Sequence, residues 1–231
     1  MKKLICIIAI ILIPSIAHCK FSVFHNFIPK DQKTSFFTNT ARFQNHIRND
    51  SDKSVTVKVE CRELDIDPNS KPVIGEVVSW VRAKSGFTLF PDQTKTIRYK
   101  AKPPSRKGTW PVVIVITAIE QREGVKFGAR FENYVLIRGR KTGEPKVVIN
   151  SLISSPPYTI AQIFNPGKYA LLAGGTINDN PFPKVILFPG KSRLVRVKKT
   201  IEGKVVVIVD VGGKCRYGRK FFLPISSFSS R

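Results

Sequence analysis

The side chains able to do covalent or metal chemistry in this chain are few. Past residue 19 they are His25 and His46, Cys61 and Cys215, and a run of carboxylates at Glu60, Glu63, Asp65 and Asp67. A thiolate nucleophile needs a base held beside it and a third group that orients the base, and neither cysteine carries a local signature of that kind. The carboxylates could hold a hard cation, but a calcium loop turns on a central glycine that is absent here. The cluster reads instead as a solvated strand end running into Asp67-Pro68-Asn69. Gly174-Gly175 and Gly212-Gly213 are read as hairpin or bulge glycines, because a phosphate cradle needs a following helix to supply its dipole. The sequence therefore predicts no enzyme, no metal site and no cofactor.

What would have to position such groups is built from strands. Apolar residues recur at steps of two and no window carries a capped helical period. Val55, Val57, Val59 and Cys61 alternate with Thr56, Lys58, Glu60 and Arg62, so one face goes to core and the other to water. The pattern predicts seven strands over 21–28, 41–48, 54–62, 76–82, 93–101, 111–121 and 126–138. Seven more are predicted over 145–152, 159–164, 169–173, 184–187, 192–199, 204–211 and 220–224. Asn49-Asp50-Ser51-Asp52-Lys53 and Asn165-Pro166-Gly167-Lys168 are turn formers, since Asn and Asp bond their own backbone and Gly accepts positive φ. Trp80 and Trp110 are read as core or interface anchors.

The chain also repeats itself. Leu89-Phe90-Pro91-Asp92-Gln93-Thr94-Lys95-Thr96-Ile97-Arg98-Tyr99-Lys100 returns 98 residues on (187 minus 89) as Leu187-Phe188-Pro189-Gly190-Lys191-Ser192-Arg193-Leu194-Val195-Arg196-Val197-Lys198. A period that long means tandem domains, because a solenoid repeat is shorter. Seven short strands per unit of about 100 residues is the expectation for an immunoglobulin-like sandwich. The fold class is thus all-β, two tandem immunoglobulin-like β-sandwich domains. The apolar period lapses at Gly139-Arg140-Lys141-Thr142-Gly143-Glu144-Pro145, which divides the chain into 20–140 and 141–231.

Residues 1–19 read as a cleaved signal peptide: Lys2 and Lys3, an apolar run from Leu4 to Ile13, Pro14, then small residues with cuts possible after Ala17 or Cys19. That run is too short to span a bilayer, so the mature chain is expected to be exported. The 39 basic and 16 acidic residues give a formal charge of +23, and removing Lys2 and Lys3 leaves 37 against 16, or +21. Such a balance draws acidic partners, whether envelope phospholipid, anionic polysaccharide or acidic protein. Alternatively the charges only solvate exposed strand faces. Export argues against nucleic acid as a partner. Cysteine is too scarce for a disulfide framework, and Cys61 and Cys215 fall in different units. Unpaired thiols are expected, with an interdomain bridge as the other outcome.

The leader, the two sandwich units, the Asn-led turn after the second strand and the run Phe87-Thr88-Leu89-Phe90-Pro91 followed by Ile97-Arg98 together resemble the PapD-like periplasmic pilus chaperones. The resemblance implies assembly without catalysis in the periplasm. A chaperone of this family lends a strand to a pilin-like subunit that lacks one and delivers it to an outer-membrane usher. A lent strand must offer alternate apolar residues at a sheet edge. The last strand of the first unit offers Phe127, Ala129, Phe131, Val135 and Ile137 at steps of two, interrupted by Asn133. The same set could equally face its own core, since alternation does not say which face is inward.

The resemblance implies a second contact, two basic residues in the interdomain cleft that hold the pilin's terminal carboxylate. Aligning Val135-Leu136-Ile137-Arg138 with the end of the family's donor strand puts Asn133 or Tyr134 where the family has lysine. Lys30 and Arg130 are then the basic candidates, or the client is held another way. The rival reading is a basic surface protein, structural or adhesive, that binds anionic glycans or lipid.

Overall fold

In the computed structural model the described residues are 21–24, 30–35, 38–67, 71–122, 124–140, 142–211 and 215–223. The expected leader, His25 and Gly212-Gly213 lie outside them. Among the described residues every regular element is a strand, and no helix is long and apolar enough to cross a membrane.

The strands are β1 (Phe21–Phe24), β2 (Lys30–Lys33), β3 (Ala41–Asn49), β4 (Val55–Ile66), β5 (Pro72–Val77), β6 (Val81–Arg82), β7 (Gly86–Leu89), β8 (Thr94–Ala101), β9 (Thr109–Arg122) and β10 (Val125–Arg138), followed by β11 (Val148–Ser155), β12 (Tyr158–Phe164), β13 (Leu171–Ile177), β14 (Asn180–Leu187), β15 (Ser192–Val197), β16 (Gly203–Val211) and β17 (Cys215–Leu223). The first ten build one sandwich from sheets ordered β1-β3-β8-β6 and β2-β10-β9-β4-β5, with β7 also on β4. The last seven build another from β11-β12-β15 and β14-β13-β16-β17. The fold is all-β with two immunoglobulin-like sandwiches, as the strand spacing predicts.

Alternation explains the interior of the first sandwich. Val55, Val57, Val59 and Cys61 are buried in its core while Thr56 and Lys58 face water. Two steps further on the outer face the chain switches to Leu64 and Ile66, which are buried against Leu172, Ile186 and Phe188 of the second sandwich. β9 makes the same change: Val112, Ile114 and Ile116 enter the first core, whereas Val113 and Val115 enter the seam between the units. The unbroken β-branched run from Pro111 to Ile116 follows from that double covering, which removes water from both faces. The second core is a separate cluster around Ile163, Ala173, Leu187, Val205, Val207 and Val209.

The first unit has more strands than its alternation predicts. The single strand expected over 76–82 is two, β5 and β6, and β2 and β7 are additional. β2 reads Lys-Asp-Gln-Lys and has no apolar period. Pairing with β10 makes it a strand. In the second unit β14 begins at Asn180 although Pro181 and Pro183 follow. It is the edge of its sheet, where a proline's missing N–H leaves no ladder bond unmade. Cys61 is a free, buried thiol, so no bridge joins it to Cys215. Trp80 packs against the first core and Trp110 lies against Gly108 and Gly139 at the junction of the units.

Candidate functional site

β9 and β10 form one long hairpin, in register from Val125 opposite Arg122 to Arg138 opposite Thr109. The other margin of β10 is joined by β2 in parallel, from Lys30 opposite Val135 to Lys33 opposite Arg138. Among the described residues no other strand joins that margin. Among the described residues the distal part of β10, from Val125 to Tyr134, therefore has no strand on that margin.

Burial of the alternate apolar set grades along this strand. Ile137 and Val135 are buried in the first core, at 0% and 2% exposure. Asn133 is also buried, and its Nδ2 has no hydrogen-bond partner among the described residues. Phe131 packs half-buried on the rim of the core, Ala129 is half-buried, and Phe127 is 38% exposed. The five residues read from the sequence thus share one face, but two anchor the strand and three emerge toward the hairpin tip.

The opposite face of β10 carries Arg130, ion-paired to Glu132 at 3.1 Å, and Tyr134, whose hydroxyl donates to Glu132 Oε2 at 2.9 Å. Burial, reinforced by the carboxylate beside it, pushes the Tyr134 phenol up to about 12. Leu136 follows on this face and enters the seam. Lys30 and Arg130 are not brought together. Lys30 stands opposite Val135, and Arg130 is five residues distal to that point, or about 16 Å along an extended strand.

The cations that converge lie lower. Between the units is a cavity of about 300 Å³ lined by Lys33, Arg138, Arg140, Lys146 and Lys168, with Glu144 as the carboxylate of the lining. Lys33 and Arg138 face each other across the β2–β10 ladder, which continues as the Thr34 amide donates to the Arg138 carbonyl at 2.9 Å. Arg138 follows Tyr134 and Leu136 at steps of two and so lies on the face turned to the second unit. A concave site with like charges on its walls concentrates anions. The sequence alone does not single out Lys33, because its place is set by the β2 register.

His46 and Cys61 do not come together. His46 lies on the outer face of β3, hydrogen-bonded to Thr96 Oγ1 at 3.0 Å and Gln44 Nε2 at 3.3 Å, whereas Cys61 points into the core. Glu60 is bracketed by Lys58 at 2.6 Å and Arg62 at 2.9 Å. Hydrogen bonds from these two cations, Lys58 first, hold its carboxyl below the usual range. Among the described residues no three His, Cys, Asp or Glu side chains gather as a metal site. Gly175 is a bulge glycine, at the register shift between β13 and β14.

No family model matches the chain, and no curated protein matches its sequence. The likeness is in three dimensions. A chain of the CsuC–CsuE chaperone–tip adhesion subunit pre-assembly complex, from the archaic chaperone-usher Csu pili of Acinetobacter baumannii, aligns with TM-score 0.54 at 9% identity over 89% of this chain and 99% of that one. The Salmonella enterica SafA pilin–SafB chaperone complex contributes a chain with TM-score 0.53 at 8% identity, covering 88% and 96%. The class 5 fimbriae chaperone CfaA aligns with TM-score 0.51 at 14% identity, covering 89% and all of its own length. The chain has the PapD-like chaperone fold. At these identities the likeness establishes the arrangement of strands.

Proposed function

We propose that this protein is a periplasmic, non-catalytic assembly chaperone that caps pilin-like subunits by lending them the distal half of β10 and passes them to an outer-membrane usher. The observation that carries the reading is the split along β10. Val135 and Ile137 fix the strand to its own core, while Phe127, Ala129 and Phe131 rise beyond the reach of β2 on a sheet edge. A subunit lacking one strand exposes an apolar groove bordered by unpaired backbone groups. An edge strand with alternate apolar side chains satisfies both at once. The chaperone complexes among the structural neighbours support the same reading.

The second contact in this reading is the cavity between the units. Lys33 and Arg138, adjacent in the ladder, form a pair of cations suited to a carboxylate, with Arg140, Lys146 and Lys168 adding to the local potential. The test is co-expression in the periplasm with a pilin-like subunit that lacks its last strand, followed by isolation of the complex. The native chain is expected to bring down the subunit in a stable pair. F131D is expected to abolish the pair, and K33A/R138A to weaken it about tenfold or more, as for removal of a charged hydrogen-bonding partner. Full retention of the subunit by F131D overturns the proposal.

A further inference from the structure

We propose that the outer face of β3, β8 and β6 is a binding surface for an acidic polysaccharide. This face is not part of the hairpin margin or of the cavity between the units. Arg42 on β3 stands opposite Lys100 on β8, and Lys100 stands opposite Arg82 on β6. Arg98, two residues before Lys100, stands opposite Gln44. All four basic side chains are exposed. Among the described residues none of the four has an ion-pair or hydrogen-bond partner. Arg48 on the same face differs, because it holds Asp50 at 2.8 Å and Asp92 at 3.2 Å.

Like charges directly opposite on neighbouring strands destabilise a sheet. Here the opposition occurs twice in a row, Arg42 with Lys100 and Lys100 with Arg82, with no carboxylate set among them. A bound polyanion converts that repulsion into attraction at each position. The surface is also shaped. A shallow surface depression of about 550 Å³ is lined by Arg42, Gln44, Arg98 and Lys100. Phe43 and Tyr99, whose rings stack in the core, form its floor.

The polar company of the cations selects the class of polyanion. Gln44, His46 and Thr96 adjoin them in register as a polar row bonded through His46, which leaves the Gln44 side-chain carbonyl to accept from a hydroxyl group. β3 and β8 put no large apolar residue on this face for insertion into a lipid interface, and no exposed aromatic on which bases would stack. Cations and hydroxyl-bonding groups on β3 and β8, without apolar or aromatic residues beside them on those two strands, fit a carboxylated glycan chain.

The test uses the full chain and polygalacturonate, with neutral dextran and phosphatidylglycerol vesicles in parallel, titrated at low and high salt. Binding to polygalacturonate that weakens with salt is expected, and none to dextran. R98E/K100E is expected to weaken it about tenfold or more, while K198E/K199E, an equal charge change on exposed residues of the second unit, changes it less than about threefold. R98E/K100E also sets Glu opposite Arg42 and Arg82, so its urea midpoint is expected to match or exceed the native one, which separates lost binding from lost folding. Equal loss in the two variants, unchanged binding by R98E/K100E, or binding to vesicles in place of polygalacturonate overturns the proposal.

Discussion

Asn49 and Asn165 hold the same corner of the two sandwiches by the same set of bonds. Each is fully buried. Asn49 Nδ2 donates to the carbonyls of Lys53 and Leu89, at 2.7 and 3.2 Å, and Asn165 Nδ2 to those of Tyr169 and Leu187, at 2.9 and 3.0 Å. Each Oδ1 accepts the amide two residues on, from Ser51 at 3.1 Å and Gly167 at 2.9 Å. Each backbone amide reaches the facing turn, at Gln93 and at Lys191. Leu89 and Leu187 open the repeated stretch, so the corner explains why the repeat starts with the leucine and why an asparagine precedes each copy. The asparagine lies 40 residues before its leucine in the first unit and 22 in the second. The longer spacing accommodates β5 and β6.

Removal of either amide should cost more than one hydrogen bond. Asn49→Ala leaves the Lys53 and Leu89 carbonyls without this donor at a buried site, and Asn165→Ala does the same to Tyr169 and Leu187. Each variant is expected to lose about 2–3 kcal/mol, because a buried polar group left unpaired carries its full desolvation penalty. Asn→Asp at either site should be no better, since a carboxylate accepts where these carbonyls need a donor. Urea unfolding followed by circular dichroism measures the loss, and a midpoint within error of the native one contradicts this role for the asparagine.

Two glycines with positive φ should respond differently to one methyl group. Gly175 has φ +153, and a Cβ there would meet the Ile208 carbonyl oxygen at 2.0 Å. Gly190 has φ +66 and open space around it. Gly190→Ala is expected to cost about 1–2 kcal/mol, the left-handed backbone term alone. Gly175→Ala must also push β13 away from β16, so its loss should be more than about 3 kcal/mol, an exceptional value for a single change. Thermal unfolding of the pair tests the order, and amide exchange at Thr176 and Ile208 tests the place.

The two sandwiches are legible in the sequence because alternation and the repeat both report on burial within one unit. Legibility ends where burial depends on the other unit. Leu64, Val113 and Leu136 carry no mark separating them from residues facing their own core, and their seam emerges only when the sandwiches meet. The five alternate residues of β10 are visible as a set, yet the division between Val135 and Phe131 depends on where β2 begins. Lys33 was hidden for the same reason, being one of four polar residues placed by a register.

The Cys61 thiol gives a pH dependence with a fixed sign. Burial pushes it up to about 12 from an ordinary value near 9. The unfolded thiol ionises near 9 while the folded one stays neutral, so its contribution to stability is full below that pH and is lost as pH rises toward 12. The slope over that window approaches about 1.4 kcal/mol per pH unit for a single group. Comparison with Cys61→Ala, in a chain whose other thiols are replaced by serine, isolates the effect. The difference in stability between the two should shrink as pH passes 9, and a difference that is flat from pH 8 to 11 rejects the assignment. Iodoacetamide should label Cys61 only on unfolding.

Val112 and Val113 are neighbours on β9 with no accessible surface, yet they belong to different cores. Val112 faces the interior of the first sandwich, which closes around it from both sheets. A carboxylate there has nowhere to find water, so Val112→Asp is expected to cost about 4 kcal/mol or more and to unfold the first unit. Val113 faces Leu172, Ile186 and Phe188 of the second unit across a seam that can part. Val113→Asp should therefore reach water by separating the sandwiches while each keeps its own core. Circular dichroism should report native strand content for Val113→Asp and a reduced one for Val112→Asp. Small-angle X-ray scattering should show a larger radius of gyration for Val113→Asp than for the native chain. The cationic cavity lies between the same units, so Val113→Asp is also expected to weaken any carboxylate held by Lys33 and Arg138 without touching either residue. Equal loss of strand content in both variants would mean that the two valines share one core.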